Sequence, residues 1–159
     1  MLLILAFALG VVAGLRSLTP PAVVAWGARL GWLQLAGTPL AFLGSTAVTY
    51  LLTALLLAEL VADKLPRTPN RTSPGPFIGR IMTGALAGAA LGAGSGGSLL
   101  AGAALGGLGG AVGTLAGYQA RTSLVRKLGV PDYVVALGED AIAVGGAVLI
   151  VVAASRLAA

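Results

Sequence analysis

The sequence predicts an all-α integral membrane protein with four transmembrane helices, preceded by an N-terminal broken helix or helix pair. Three observations carry that reading. Of 159 residues, 57% are hydrophobic and only 9% are charged, against about a quarter charged in soluble domains. A chain so poor in charge cannot cover a water-facing surface. Its apolar runs approach the roughly 20 residues that cross a bilayer. Glycine recurs at every fourth position over long stretches, the spacing that lets membrane helices pack backbone to backbone.

The first apolar run, residues 1–15, holds Gly10 and Gly14 and has no basic flank ahead of it, which argues against a cleaved signal peptide. Arg16 follows, then Thr19, Pro20 and Pro21. A proline pair removes backbone donors and blocks a continuous helix. Residues 1–35 therefore read as a broken helix or two short helices, a form tolerated in membranes where protein or a wet cavity surrounds the break. Thr38-Pro39 reads as a turn. Residues 40–62 form an apolar span that ends at Glu59 and Asp63.

The four prolines between residues 64 and 76 predict a non-helical loop there. Residues 78–93 form the next span, with Gly84, Gly88 and Gly92 at four-residue spacing, a glycine-zipper pattern. After a turn at 94–98, a return helix runs from Leu99 to about Tyr118 with Gly102, Gly106 and Gly110 and an overlapping row of Gly109, Gly113 and Gly117. Arg121, Arg126 and Lys127 make a basic segment, and the last helix starts at Pro131-Asp132 and carries Glu139 and Asp140. Gly145-Gly146 offers a neighbour close approach.

The basic loops 64–80 and 121–132 flank the glycine hairpin, so they share a side, which the positive-inside rule makes cytoplasmic. This accounts for the net charge of +5 without a nucleic-acid partner. The implied location is an inner, cytoplasmic membrane. The chain reads as one domain over 1–159 with a weak internal repeat, about 1–75 and 78–159. In each half a Gly-xxx-Gly pair leads to an arginine, a proline and then two acidic residues. Unequal spacing leaves coincidence as the other explanation.

The segments GLRSLTPPAVVAW at 14–26, ADKLPRTPNRTSPGP at 62–76, GYQARTSL at 117–124 and GEDAIAVGG at 138–146 resemble an uncharacterised bacterial membrane-protein family, a domain of unknown function (DUF4126-like). The resemblance covers nearly the whole chain. It implies a small polytopic membrane protein and supplies no site residues.

Chemistry must come from few residues. With no Cys and no His, disulfides, thiolate sites, the commonest general base and the commonest metal ligand are absent. No spacing suggests Ser or Thr with Lys, or carboxylates with a metal, so neither an enzyme nor a cofactor is expected. Charges within spans are rare and usually functional. Glu59 and Asp63 lie one turn apart on one helix face. They sit poorly at a helix C-terminus, where the dipole is negative, unless a cation offsets them. Asp63 alone also fits a solvated helix end. Glu139 and Asp140 lie two turns into an apolar helix, about 100° apart. One can face a partner helix and the other a cavity, and Arg16, Arg80 or Arg121 can pair with them.

Arg16 fits an anion site made by half-helix ends or a snorkelling arginine at the interface. Lys64, Arg67 and Arg71 suit a phosphate or anionic lipid headgroup, or an ordinary cytoplasmic loop. Two functions follow. The first is a small transporter or channel, a homodimer or higher homo-oligomer, with the carboxylates as proton or cation site and the arginines as partners. The second is a non-transporting lipid-binding or structural module. A wet cavity at the carboxylates favours the first, and a dry ion pair the second.

Overall fold

The computed structural model describes residues 1–63, 72–129 and 131–158. Among them lie six α-helices and no strand: α1 (Leu2–Leu15), α2 (Thr19–Arg29), α3 (Thr46–Ala62), α4 (Pro74–Gly94), α5 (Leu99–Leu128) and α6 (Asp132–Ala158). Three of them, α4, α5 and α6, are long and apolar enough to cross a membrane.

Local chemistry sets the helix ends, and several differ from the sequence expectation. The N-terminal segment is two helices, but the break falls at residues 16–18. Pro20 and Pro21 open α2 instead, where the first-turn N–H groups have no helical partner to lose. Pro74 and Pro76 likewise begin α4 four residues before the expected start. α3 begins at Thr46 and not near residue 40, because Ser45 caps it and residues 41–44 form a 3₁₀ turn. Its 17 residues cover about 25 Å at 1.5 Å per residue, short of a typical hydrocarbon core of about 30 Å. α5 continues ten residues past Tyr118, through the basic segment, to a stop at Gly129 with φ 63°, a left-handed position that glycine adopts without strain.

The centre of the molecule is a three-helix contact of α1, α4 and α5 made through backbone. A Cβ built on Gly88 would lie 2.3 Å from the Gly102 carbonyl oxygen, and one on Gly10 2.0 Å from that of Gly106. No side chain fits at such distances, so glycine is required for the approach. Farther along, Gly14 lies against Gly113 and Thr114, which sets the end of α1 onto α5. Gly145 meets nothing within 4 Å and Gly146 meets only a Val12 side chain at 3.9 Å, so the expected close approach there is not made among the described residues.

Direction along the bundle follows from the chain. Met1, Gly97 and Leu157 line one shallow pocket, so the start of α1, the α4–α5 turn and the end of α6 share a side. Arg16, Asp63, Arg80 and Glu139 gather near the other end. The aromatic groups mark the first side as well. Trp26 stacks edge-on to Tyr50 at 5.8 Å and donates to Thr53 Oγ1 at 3.0 Å, and exposed Arg29 donates to Thr46 Oγ1. Aromatic rings of this kind anchor helices at a membrane surface. Reporters fused before Met1 and after the C-terminus are expected to give the same signal in a membrane topology assay, and one inserted at Asn70 the opposite signal. Opposite signals from the two termini would contradict this threading.

Candidate functional site

The break between α1 and α2 leaves carbonyls at one helix end and N–H groups at the other. In an apolar medium each unmet group costs several kcal/mol. Two charged side chains meet them. Arg80 of α4 donates through Nη1 to the Gly14 and Leu15 carbonyls at 2.7 and 2.8 Å. Glu59 of α3 accepts from the Ser17 and Leu18 N–H groups at 2.7 and 2.8 Å and from the Ser17 hydroxyl. A cation thus closes a helix C-terminus and an anion a helix N-terminus, the arrangement the helix dipole favours. Glu59 was expected to oppose the dipole of its own helix. It instead complements that of α2.

Between these caps lies Arg16, with no solvent exposure. The snorkelling reading does not hold. Its Nε donates to Asp140 and its Nη1 to Asp63, and Glu139 Oε2 lies 3.7 Å from Nη2. The Asp63 and Asp140 side chains are 15% and 13% exposed, so this is a nearly dry centre. Asp63 also lies 3.9 Å from Arg80, and Glu139 lies 3.3 Å from Arg121. Arg121 holds the more exposed Asp132 through both carboxylate oxygens. The result is a chain of ion pairs that runs from Arg80 through Asp63, Arg16, Asp140 with Glu139, and Arg121 to Asp132. It joins α4, α3, the α1–α2 break, α6 and α5. All five side-chain carboxylates of the protein are at this end.

Depth follows from helix rise. Arg80 is six residues into α4 and Asp140 eight into α6, so the centre lies about 9–12 Å in from those helix starts at 1.5 Å per residue. A charged centre at that depth is held by pairing, since charge left unpaired in a low dielectric is neutralised or expelled.

The network is not closed everywhere. Between α5 and α6, in the part near their linked ends, lies a crevice of about 410 Å³. Its walls are apolar apart from Arg121 and Glu139. Adjacent carboxylates of α6 therefore divide as their angular separation predicts: Asp140 faces the buried arginine, and Glu139 borders the crevice.

Of the sequence candidates, Arg16, Glu59, Asp63, Arg80, Arg121, Glu139 and Asp140 come together. Lys64, Arg67 and Arg71 lie outside the described residues. Sequence reasoning missed Ser17 and Asp132 as partners. Asp132 carried a readable signal, an acid just after a proline at a helix start and one short connection from Arg121. Ser17 carried only its place beside the break.

A family model described as a domain of unknown function (DUF4126) matches residues 3–158. Comparison with curated proteins gave no match, and comparison with solved structures gave none.

Proposed function

The chain belongs to the DUF4126 family, a domain of unknown function, and from its own residues we propose that it is a small membrane transporter. Its exchangeable proton or cation site is the carboxylate group Asp63, Glu139 and Asp140, with Arg16 as internal counter-ion. The observation that carries this is Arg16, fully buried at a helix break and bonded to carboxylates from both α3 and α6. A buried ion network adds little net stability over apolar packing of the same volume, so stability alone is a weak reason to place one here. Discontinuous helices surround the ion sites of many transporters, and ionisable groups inside a span commonly mark ion pathways.

The chemistry is an exchange of partners. In the arrangement described, Arg16 neutralises Asp63 and Asp140. A proton or cation arriving at these carboxylates replaces Arg16 and frees α6 from the α1–α2 break. Glu139 is 10% exposed and lies within reach of both Arg16 and Arg121, so it can take up a proton or cation as the partners change. Glu59 and Arg80 are set apart from the exchanging set, because their charges hold the two helix ends of the break. α3 serves as the fourth crossing helix, shortened at its start by the Ser45 cap, and the basic segments face the cytoplasm. One chain of this size encloses little, so the working unit is a homodimer or larger. The shallow groove of small residues on the outer α4–α5 face, around Ala85, Ala103 and Gly107, is a natural seat for a second copy.

A second reading has its own support. The Arg16 centre is nearly dry, which by the criterion drawn from the sequence favours a non-transporting structural or lipid-binding module, and both helix ends are capped. Flux separates the two. Proteoliposomes holding wild-type protein and a pH-sensitive dye are expected to take up protons when a panel of cation gradients is imposed. Asp140→Asn leaves Arg16 paired with Asp63, so it should be less stable than wild type but still fold and insert into liposomes, and it should lose at least about tenfold in rate, the scale of losing one group that acts in the step itself. Wild-type protein that moves no proton under any gradient, or Asp140→Asn at the wild-type rate, would leave the structural reading in place.

A further inference from the structure

The crevice between α5 and α6 is too open for a sealed ion site and too apolar for water. It runs along α5 from Leu128 to Gly117, about 16 Å at 1.5 Å per residue, close to the roughly 15 Å of one leaflet's hydrocarbon. Leu124, Leu128, Val134 and Ile142 wall it. In a bilayer the medium beside such a crevice is acyl chain, and a void of this size does not stay empty there. The mouth is charged. Exposed Lys127 precedes Leu128, and Arg121, on the wall, is drawn toward the α6 start by Asp132. Tyr133, 57% exposed, stands at the same end, as aromatic residues do at headgroup level.

We propose that this crevice holds one acyl chain of an anionic phospholipid, with the phosphate at Lys127 in the mouth. The crevice shares Arg121 and Glu139 with the ion network, so a seated lipid braces α6 against α5 beside the network. The binding itself does not depend on transport.

The test uses full-length protein in nanodiscs of equal phosphatidylcholine and phosphatidylglycerol, followed by release and native mass spectrometry. Wild type should retain one phosphatidylglycerol per chain in preference to phosphatidylcholine. A Cβ at Gly138 meets nothing within 4 Å, so Gly138→Phe fills the crevice without a backbone clash and should remove the retained lipid. Lys127→Gln should leave a lipid in place but lower the preference for phosphatidylglycerol about fivefold, the worth of one basic side chain at an anionic surface. Equal retention of both lipids by wild type, or an unchanged bound lipid in Gly138→Phe, would overturn the proposal. A Gly138→Phe variant that changes oligomer mass with its lipid intact would overturn it in favour of a second copy in the crevice. None of these readouts involves flux, so loss of the transport reading leaves them standing.

Discussion

Gly106→Leu is expected to prevent assembly of the helical core. Gly106 is flanked on two sides by backbone. Its own Cβ would lie 2.2 Å from the Gly84 carbonyl oxygen of α4, and its carbonyl oxygen sits 2.0 Å from where a Cβ on Gly10 of α1 would be. A side chain in an ordinary core pushes on other side chains, which rotate away at a cost of about 1–3 kcal/mol. A carbonyl cannot rotate away without breaking its helix, so α4 must separate from α5, and the α1 contact shifts with it. The loss should exceed that range and appear as aggregated or monodisperse-poor protein in size-exclusion chromatography, with Gly106→Ala melting well below wild type. Gly145→Ala is the control. Nothing lies within 4 Å of its Cβ, and alanine is the better helix former by about 1 kcal/mol, so it should melt at or above wild type. Wild-type melting of Gly106→Leu would mean that α1, α4 and α5 do not pack through this glycine.

Arg16→Gln is expected to be the most damaging change among the charged residues. The neutral amide leaves Asp63 and Asp140 facing one another, with Glu139 close behind, all little exposed. Removing one partner of a buried ion pair costs about 3–5 kcal/mol, and here one arginine serves two close carboxylates. Urea or thermal unfolding of purified protein reads the loss. An Arg16→Gln variant as stable as wild type would mean that the carboxylates find other partners at once.

How much of this was legible before the structure depends on the kind of information involved. The charged site residues were legible because charge is so rare in the chain that each instance stands out, and Glu139 with Asp140 lie plainly within an apolar run. Their pairing was not. Arg16 meets Asp140 across 124 positions, and no local pattern encodes which arginine reaches which acid. The roles of Glu59 and Arg80 as caps for other helices were hidden for the same reason. Among the helix ends, a break in the N-terminal segment was foreseen from the proline pair, but it falls at residues 16–18, ahead of the prolines. The prolines were read as breakers, however, whereas at 20–21 and 74–76 they are the first residues of helices. Proline costs little at that position because its missing N–H would be unpaired there anyway. The extension of α5 through Arg121 and Lys127 was missed because a basic segment next to an apolar run reads as a loop. Nothing in it breaks a helix before Gly129. The glycine rows were legible as spacing, and the structure adds which row meets which.

The central claim is that Arg16 at the helix break and the carboxylates of α6 act as one unit. A double-mutant cycle measures this directly, with unfolding free energies of wild type, Arg16→Gln, Asp140→Asn and the double variant in the same detergent. If the two residues form the pair described, the double variant should be much more stable than the sum of the single losses implies, with a coupling of about 2–3 kcal/mol. Losses that add to within about 0.5 kcal/mol, as they do for distant and independent sites, would contradict it.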